Sequence, residues 1–336
     1  MNTQKWSARL APFKTADNNR SVLEIIATVV PLVAIWLIMW SLLQTGNALA
    51  WLAVAALLIP TAGLMVRLFI IQHDCGHGSM FSSKSANEWV GRILGVFTFT
   101  PYDYWRKLHA AHHATSGNLD GRGMGDIDTL TVNEYKALSF GGRLRYRLYR
   151  NPFVLFVAGP AYMFLLRHRL PVGMTGKPSA WVSVMGNNIG IILLCAVLIK
   201  FFGWTAFLFI QLPAVALGAS IGVWLFYVQH QFDETYWDVK PGWTHEHAAL
   251  HGSSYYDLPK PIMWLTGYIG IHHVHHLSSR IPFHKLPAVL QTHPELQDVG
   301  RLTFIESLKC IPLALWDEQA SRLISFKDAR PLLQPA

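Results

Sequence analysis

Charged side chains are scarce in this sequence of 336 residues, because Asp, Glu, Lys and Arg together make up only 14% of it. Hydrophobic residues make up 51%, and the mean hydropathy is +0.26. Soluble domains usually contain about 25% charged residues, so this balance excludes an ordinary soluble protein and indicates an integral-membrane one. The formal net charge of +8 fits basic loops beside membrane helices, and we predict no nucleic-acid partner.

Cysteine is also rare, and the three cysteines, Cys75, Cys195 and Cys310, are far apart with no CxxC pair. This excludes a disulfide framework and a fused iron–sulfur domain, and it fits a reducing compartment. A dinucleotide-binding fingerprint is missing as well, since the glycine-rich residues 121–125 follow no convincing strand. The polar, basic residues 1–20 precede an apolar run as long as a membrane span, so no cleavable signal is predicted.

Long apolar runs are what the sequence has in quantity. A helix needs roughly 20 apolar residues to cross the hydrocarbon core. Four uncharged stretches are near or above that length, at 25–43, 48–66, 181–199 and 205–228. Short links at 44–47 and 200–204 join them into two helical hairpins. Basic residues are concentrated before the first stretch, which predicts a cytoplasmic N-terminus.

Both hairpins then return to the cytoplasmic side, which also places residues 67–180, residues 229–336 and the C-terminus there. Two shorter apolar stretches, 93–100 and 153–166, are too short to span and are interpreted as interfacial helices. The sequence thus predicts one domain over residues 1–336. Its fold class is all-α integral membrane, with four transmembrane helices in two hairpins, interfacial helices, and a cytoplasmic helical cap built from 78–150 and 231–336.

Histidines occur in three clusters, all on the predicted cytoplasmic side. The clusters read HDCGH at 73–77, HAAHH at 109–113 and HHVHH at 272–276. In a helix, histidines at the first and last positions, and at the fourth position of the second and third clusters, share one face. Neutral imidazoles suit iron, zinc or copper. Eight converging histidines are too many for one ion and predict two metal ions held by His73, His77, His109, His112, His113, His272, His275 and His276.

These clusters, in this order around two hairpins, resemble the three histidine boxes of membrane fatty acid desaturases over residues 72–286. The first box, HDCGHGS, is similar to that of the omega-6/delta-12 and bacterial acyl-lipid type, and lacks the longer spacing of acyl-CoA delta-9 enzymes. The segment FYVQHQF at 226–232 is also similar to that group, and it implies His230 as a ninth ligand.

The resemblance implies two iron ions that form the reactive centre, dioxygen as co-substrate, and an acyl chain of a membrane lipid as substrate. It implies a bacterial inner membrane location with the metal site at the cytoplasmic face. Because the sequence contains no redox module of its own, electrons are expected from a separate donor of ferredoxin or cytochrome type with its reductase. Imidazole ligands alone would also permit zinc.

Several polar residues near the boxes are candidates for supporting roles. Metal-bound imidazoles usually donate their second N–H to an acceptor, so Asp74 or Asp103 is expected to orient His73 or His109. His273 is not required by the HxxHH pattern and is expected to support a ligand or to face solvent. Carboxylates at 126 and 128 are expected on a solvated surface. A further cluster, His245, His247 and His251, is able to bind metal by itself but lies outside the boxes.

Two other functions remain open from the residues alone. The same di-iron scaffold also suits a hydroxylase or ketolase acting on a lipid, alkane or carotenoid. A histidine-rich membrane metal-binding or transport protein is the second alternative. It is disfavoured because transport needs polar ligands near the bilayer midplane, where Asn187 and Asn188 are the notable polar pair. The basic run Arg143, Arg145, Arg147 and Arg150 suits an acidic electron donor, phospholipid headgroups or simple positive-inside anchoring.

Overall fold

The computed structural model of this chain describes residues 5–123 and 125–334, so Met124 and the last two positions of the predicted cap lie outside the described residues. After the short helix α1 (Trp6–Arg9), two long helices follow, α2 (Asn18–Gln44) and α3 (Ala48–His77). Asp17 caps α2 by accepting the N–H of Arg20 over 3.0 Å, and Asn47 caps α3 by accepting the N–H of Leu49 over 2.7 Å. The link between them is as short as the sequence indicates.

Helix α3 continues well beyond the apolar run that ends at residue 66 and carries His73 and His77 on its last turns. It is the most enclosed of the candidate membrane helices, because 61% of its most apolar stretch is buried, against 17% for α2. A buried Arg67 lies just past the apolar run and forms an ion pair with Glu24 of α2. Helix α3 therefore runs through the centre of the molecule and into the cap.

The first half of the cap consists of short helices and one short strand. In chain order these elements are α4 (Lys84–Phe97), α5 (Tyr102–Thr115), β1 (Leu130–Thr131), α6 (Val132–Ala137), α7 (Phe140–Tyr149) and α8 (Gly159–Leu165). A π-helical turn at Val154–Ala158 precedes α8. The apolar stretches at 93–100 and 153–166 lie mainly in α4 and in the π turn with α8, and neither belongs to a candidate membrane span.

A second long helical segment, Pro178–His230, is apolar enough to span a membrane. It consists of α9 (Pro178–Ala206), a π turn at Phe207–Gln211, and α10 (Leu212–His230). Gly203 interrupts it, because its φ of 85° and ψ of 165° are outside the helical region. The described chain thus contains three helical segments long and apolar enough to cross a membrane.

The C-terminal part of the cap is not purely helical. Its elements are α11 (His245–His251), β2 (Tyr255–Asp257), α12 (Lys260–Leu265), α13 (His272–Leu277), α14 (Leu286–Thr292), β3 (Arg301–Thr303), α15 (Phe304–Ser307), β4 (Leu313–Asp317) and β5 (Arg322–Ser325). Strand β4 pairs with β1 in parallel and with β5 antiparallel, and β2 pairs with β3 in parallel. The all-α expectation therefore needs correction to a mostly helical fold with two small sheets.

Local sequence patterns do not reveal these strands, because each is short and, apart from the β4–β5 pair, they pair with strands far away in the chain. Leu130 of β1, for example, pairs with Leu315 of β4. The main hydrophobic core joins α3 and the ends of α10 to the cap, with residues such as Ile71, Val228 and Val274 fully enclosed. The histidine clusters lie at this junction.

Candidate metal centre

The last turns of α3 hold the first two candidate ligands, His73 and His77. Being four residues apart, they leave the same face of the helix, and their Nε2 atoms are 3.3 Å apart. The residue after the helix, Gly78, has a left-handed φ of 66° and terminates it. Tyr102, the first residue of α5, donates its hydroxyl to the carbonyl oxygen of Cys75 over 2.8 Å. This bond fixes the first cluster against the helix that carries the second.

Helix α5 carries His109, His112 and His113. The ring of Trp105, one turn earlier, stacks on the ring of His109 with centroids 4.7 Å apart. The Nε2 atom of His109 is 3.1 Å from that of His77 and 3.0 Å from that of His113. The pair of α5 histidines spaced by four residues therefore meets the pair on α3.

Helix α13 and the end of α10 supply the remaining histidines. His230 is the last residue of α10, and its Nε2 atom is 3.0 Å from that of His272. The Nε2 atom of His276 is 3.1 Å from that of His272, and the Nε2 atom of His275 is 3.1 Å from that of His113. All three clusters and His230 are thus brought to one place.

Within the described residues, these side chains form two groups in which all ligand atoms lie within 4.8 Å of one another. The first group is His73, His77, His109, His113 and His275, and the second is His112, His230, His272 and His276. The two groups adjoin, since the rings of His113 and His276 stack with centroids 4.2 Å apart. Each HxxHH cluster is therefore divided between the groups.

The second ring nitrogen of two histidines is held by a fixed partner. The Nδ1 atom of His73 lies 3.0 Å from one carboxylate oxygen of Asp74, whose other oxygen accepts the backbone N–H of Phe283 over 2.6 Å. His230 donates its Nδ1–H to the carbonyl oxygen of Gly252 over 3.1 Å. An imidazole that donates from Nδ1 keeps the Nε2 lone pair available for a metal.

Asp126 performs the same task for His112, contrary to the expectation that Asp126 lies on a solvated surface. Its carboxylate contacts Nδ1 of His112, and only 8% of its side chain is exposed. Asp128, by contrast, is exposed as expected. Asp126 comes from the loop after α5, and no helical spacing relates it to His112. Only its position shortly after the second box pointed to it.

Contrary to expectation, Asp103 does not contact a histidine. Its carboxylate accepts hydrogen bonds from Nε and Nη2 of Arg92, over 2.8 and 3.2 Å, on the side of α5 that faces α4. Two roles were expected for His273, supporting a ligand or facing solvent, and the structure contradicts the second. His273 is fully buried outside both groups, and its Nε2 donates to the carbonyl oxygen of Leu296 over 2.9 Å.

The further histidine cluster lies on α11 and, in the part of the chain that the structure describes, belongs to neither group. His247 and His251 are exposed, with ring centroids 4.4 Å apart. The basic run at residues 143–150 likewise does not form one surface. Arg150 is buried and donates to Gln231 and to the carbonyl oxygen of Leu313, over 2.9 and 2.6 Å.

Burial controls the charge of the clustered histidines. The pKa values of five histidines in the cap are held well below the ordinary value of 6.5, first because burial penalises the charged ring and second because neighbouring histidines repel it. These residues are His109, His113, His272, His275 and His276. The rings are therefore neutral at pH 7, which is the form that coordinates a metal.

The fold and the site together define a mostly helical protein with segments apolar enough to span a membrane and a buried polyhistidine centre capable of binding metal. Comparison with known sequences gives the family. The family model described as "Fatty acid desaturase" matches residues 49–307. The chain belongs to the fatty acid desaturase family and is an oxidoreductase, as the three histidine boxes predicted.

Individual relatives cover most of the chain. It is 42% identical to a "Fatty acid desaturase" of Bacillus subtilis over 324 residues, covering 96% of this chain and 91% of that protein. It is 29% identical to the "sn-1 acyl-lipid omega-3 desaturase (ferredoxin)" of Synechocystis, over 65% of this chain and 61% of that protein. An "sn-1 oleoyl-lipid 12-desaturase" of Synechocystis is 26% identical, over 71% of this chain and 67% of that protein.

Proposed function

We propose that this chain introduces a double bond into an acyl chain of a membrane lipid, using dioxygen, two iron ions and electrons from a separate protein. The observation that carries the proposal is the convergence of nine histidines into two adjoining groups. Relatives whose names specify acyl-lipid or oleoyl-lipid substrates support a lipid-bound acyl chain. A relative named as ferredoxin-dependent supports a ferredoxin-type donor.

The donor set fits a pair of metal ions with one group of histidines for each. The Nε2 atom of His112 is buried and has no hydrogen-bond partner in the described chain, so an ion would satisfy it. Neutral imidazoles suit iron, and membership of the fatty acid desaturase family supports iron over zinc. When bound, the two irons supply the redox chemistry with which dioxygen removes two hydrogen atoms from the acyl chain.

The protein's own residues prepare this centre before any substrate arrives. Asp74, Asp126 and the carbonyl oxygen of Gly252 fix three imidazoles with Nε2 turned inward. Trp105 packs flat on His109 and limits its rotation. Because the ligands are held by packed neighbours, little reorganisation is needed when the metals bind.

The electron balance explains why a partner is required. Reducing dioxygen to two waters takes four electrons, of which the two broken C–H bonds supply two. The other two electrons must come from outside, and the three cysteines of this chain are fewer than the four that usually hold an iron–sulfur cluster. A ferredoxin or cytochrome with its reductase fits this need.

We further propose that the chain crosses the membrane four times, with the metal centre and both termini on the cytoplasmic side. The break at Gly203 supports two passes within the Pro178–His230 segment. Trp40, near the far end of α2, donates to the carbonyl oxygen of Phe202 over 3.2 Å. Ser183, near the start of α9, accepts the N–H of Tyr104 of α5 over 3.1 Å, and His230 ends α10 in the metal centre. Both ends of the segment thus meet the cap.

The direct test is the fatty-acid profile of a desaturase-deficient bacterial host that expresses the chain with a competent ferredoxin and reductase. We expect a new unsaturated acyl species, located by double-bond mapping, together with about two irons per purified chain. The His113→Ala variant removes a ligand and should abolish both readouts. The matched control is His247→Ala, which changes an exposed histidine outside both groups and should leave both unchanged.

Other outcomes would redirect the assignment. Hydroxylated or keto products from an iron-loaded protein would show a hydroxylase or ketolase on the same scaffold. Zinc in place of iron, or equal activity in the His113→Ala variant, would reject the proposed centre. Cysteine-accessibility labelling at residue 203 and near the C-terminus tests the topology separately, with labelling from opposite sides expected.

A further inference from the structure

Helix α7 displays an apolar stripe that nothing in the described chain covers. Phe140, Leu144 and Leu148 recur every four residues on one side of the helix and are 85%, 49% and 56% exposed. The opposite side, including Tyr146, packs into the core beside the C-terminal sheet. Three adjacent large apolar side chains facing water would be costly, so the stripe indicates a contact surface.

Two arginines flank this stripe. With about 100° between successive residues, Arg145 lies roughly 100° to one side of Leu144 and Arg147 roughly 60° to the other. Both are exposed, and α7 contains no acidic residue. The guanidinium of Arg147 donates from Nε to the hydroxyl of Tyr135 over 2.7 Å and lies 4.5 Å from the ring centroid of Phe326. Arg145 makes no ion pair with any described residue. A basic amphipathic helix of this kind is typical of a membrane surface.

Exposed apolar residues also follow α7 in the chain, in the segment that leads back to a candidate membrane span. After α7, Phe153 and Val157 are 66% and 49% exposed, and Tyr162 and Leu166 are 57% and 63% exposed. These residues lie within or directly beside the π turn and α8, and both elements pack against α10. Exposed apolar residues therefore occur between α7 and elements that contact a candidate membrane span.

We propose that α7 is a lipid-binding surface that lies in the headgroup layer of a membrane containing anionic phospholipid. Phe140, Leu144 and Leu148 enter the boundary of the acyl chains, and Arg145 and Arg147 reach lipid phosphates on either side. An acidic electron carrier is the weaker explanation for these charges. It would dock only briefly and would leave the apolar stripe in water between turnovers.

This surface is joined to the candidate metal centre by hydrogen bonds at the end of α7. The hydroxyl of Tyr149 accepts the N–H of Asp128 over 3.0 Å, and Arg150 donates to the carbonyl oxygen of Asp128 over 3.2 Å. Asp128 lies two residues after Asp126, which contacts His112. Seating α7 in the lipid therefore also steadies the loop that orients a candidate ligand.

The test measures where α7 lies in the full chain reconstituted into phosphatidylcholine vesicles with and without phosphatidylglycerol. Cys195→Ala removes the one half-buried native cysteine, because Cys75 and Cys310 are buried. A nitroxide is then attached at Leu144→Cys, with Leu148→Cys as a second position. Glu246→Cys on exposed α11 is the matched water-facing control. Collision rates with dioxygen and with a water-soluble nickel chelate report depth.

We expect the labels at 144 and 148 to collide at least several-fold more with dioxygen, and several-fold less with the nickel chelate, than the label at 246. Phosphatidylglycerol should increase this protection, and Arg145→Gln should reduce the increase. Equal nickel accessibility at 144, 148 and 246 would overturn the proposal. Labels that stay in water and become shielded only when a ferredoxin is added would show a donor site instead. Neither readout depends on desaturase activity.

Discussion

A carboxylate oxygen of Asp126 contacts Nδ1 of His112, although the two residues are 14 positions apart and share no helix. The contact is buried, and His112 turns its Nε2 atom toward His230, His272 and His276. A loop residue thus leaves Nε2 as the nitrogen of His112 that is available to a metal ion in the second histidine group.

Replacing this carboxylate should weaken metal retention more than it weakens folding. We expect Asp126→Asn to lower iron affinity or turnover by about 10- to 100-fold, because an amide holds the imidazole less firmly than a carboxylate does. Asp126→Glu should recover part of the loss. The matched control is Asp128→Asn, two residues away and exposed. Iron content after dialysis against a chelator measures the effect, and equal losses in both Asn variants would contradict the assigned role.

The buried ion pair between Glu24 and Arg67 should be a major contributor to stability. Both side chains are almost fully buried, so Glu24→Gln leaves a buried guanidinium without its counter-charge and should cost about 3–5 kcal/mol. Arg20 also pairs with Glu24, but its side chain is 55% exposed. Arg20→Gln should therefore cost less than about 1 kcal/mol. The apparent melting temperature in detergent tests this, and similar shifts for the two variants would refute it.

The close approach of α4 and α5 requires glycine at position 91. A Cβ at Gly91 would lie 2.2 Å from the ring of Tyr102, which holds the first cluster through the carbonyl of Cys75. Gly91→Ala should displace that ring at a cost of about 1–3 kcal/mol and reduce iron content. Gly141→Ala meets no atom within 4 Å and is the matched control. Full iron loading of Gly91→Ala would show that the Tyr102 contact is dispensable.

Stability of the metal-free protein should fall on acidification. The folded-state pKa values of His109, His113, His275 and other cap histidines lie well below 6.5, and burial lowers the pKa of His273 to about 4. Below pH 6.5 the unfolded chain binds more protons than the folded one. Stability is therefore complete above about pH 7 and falls below it by about 1.4 kcal/mol per pH unit for each such histidine. Melting temperatures at pH 7.5, 6.5 and 5.5 measure the trend, and a flat profile would contradict it.

Local patterns predicted much of this protein because its main signals are local. The length of apolar runs predicts helices that can span a membrane, and histidines four residues apart must share a helical face. Each pair His73 and His77, His109 and His113, and His272 and His276 stays together in one group. The middle histidines at 112 and 275, on the other side of the helical face, join the opposite group.

Local sequence patterns could not predict the contacts between segments that are far apart in the chain. Asp103 is a carboxylate near the second box, but it pairs with Arg92 of the neighbouring helix. Asp126 instead contacts His112 from a loop. The two small sheets were missed for the same reason, since β1 finds its partner β4 far along the chain. The side of α7 that is buried also depends on the sheet it packs against.

The sequence by itself therefore determined the membrane character, the three histidine boxes and the family, because each depends on composition or on spacing within one helix. Only the tertiary structure decided how the nine histidines divide between two groups, which carboxylate orients His112, and which face of α7 is left uncovered. Those features depend on the relative placement of α3, α5, α10 and α13, and packing of the whole chain sets that placement.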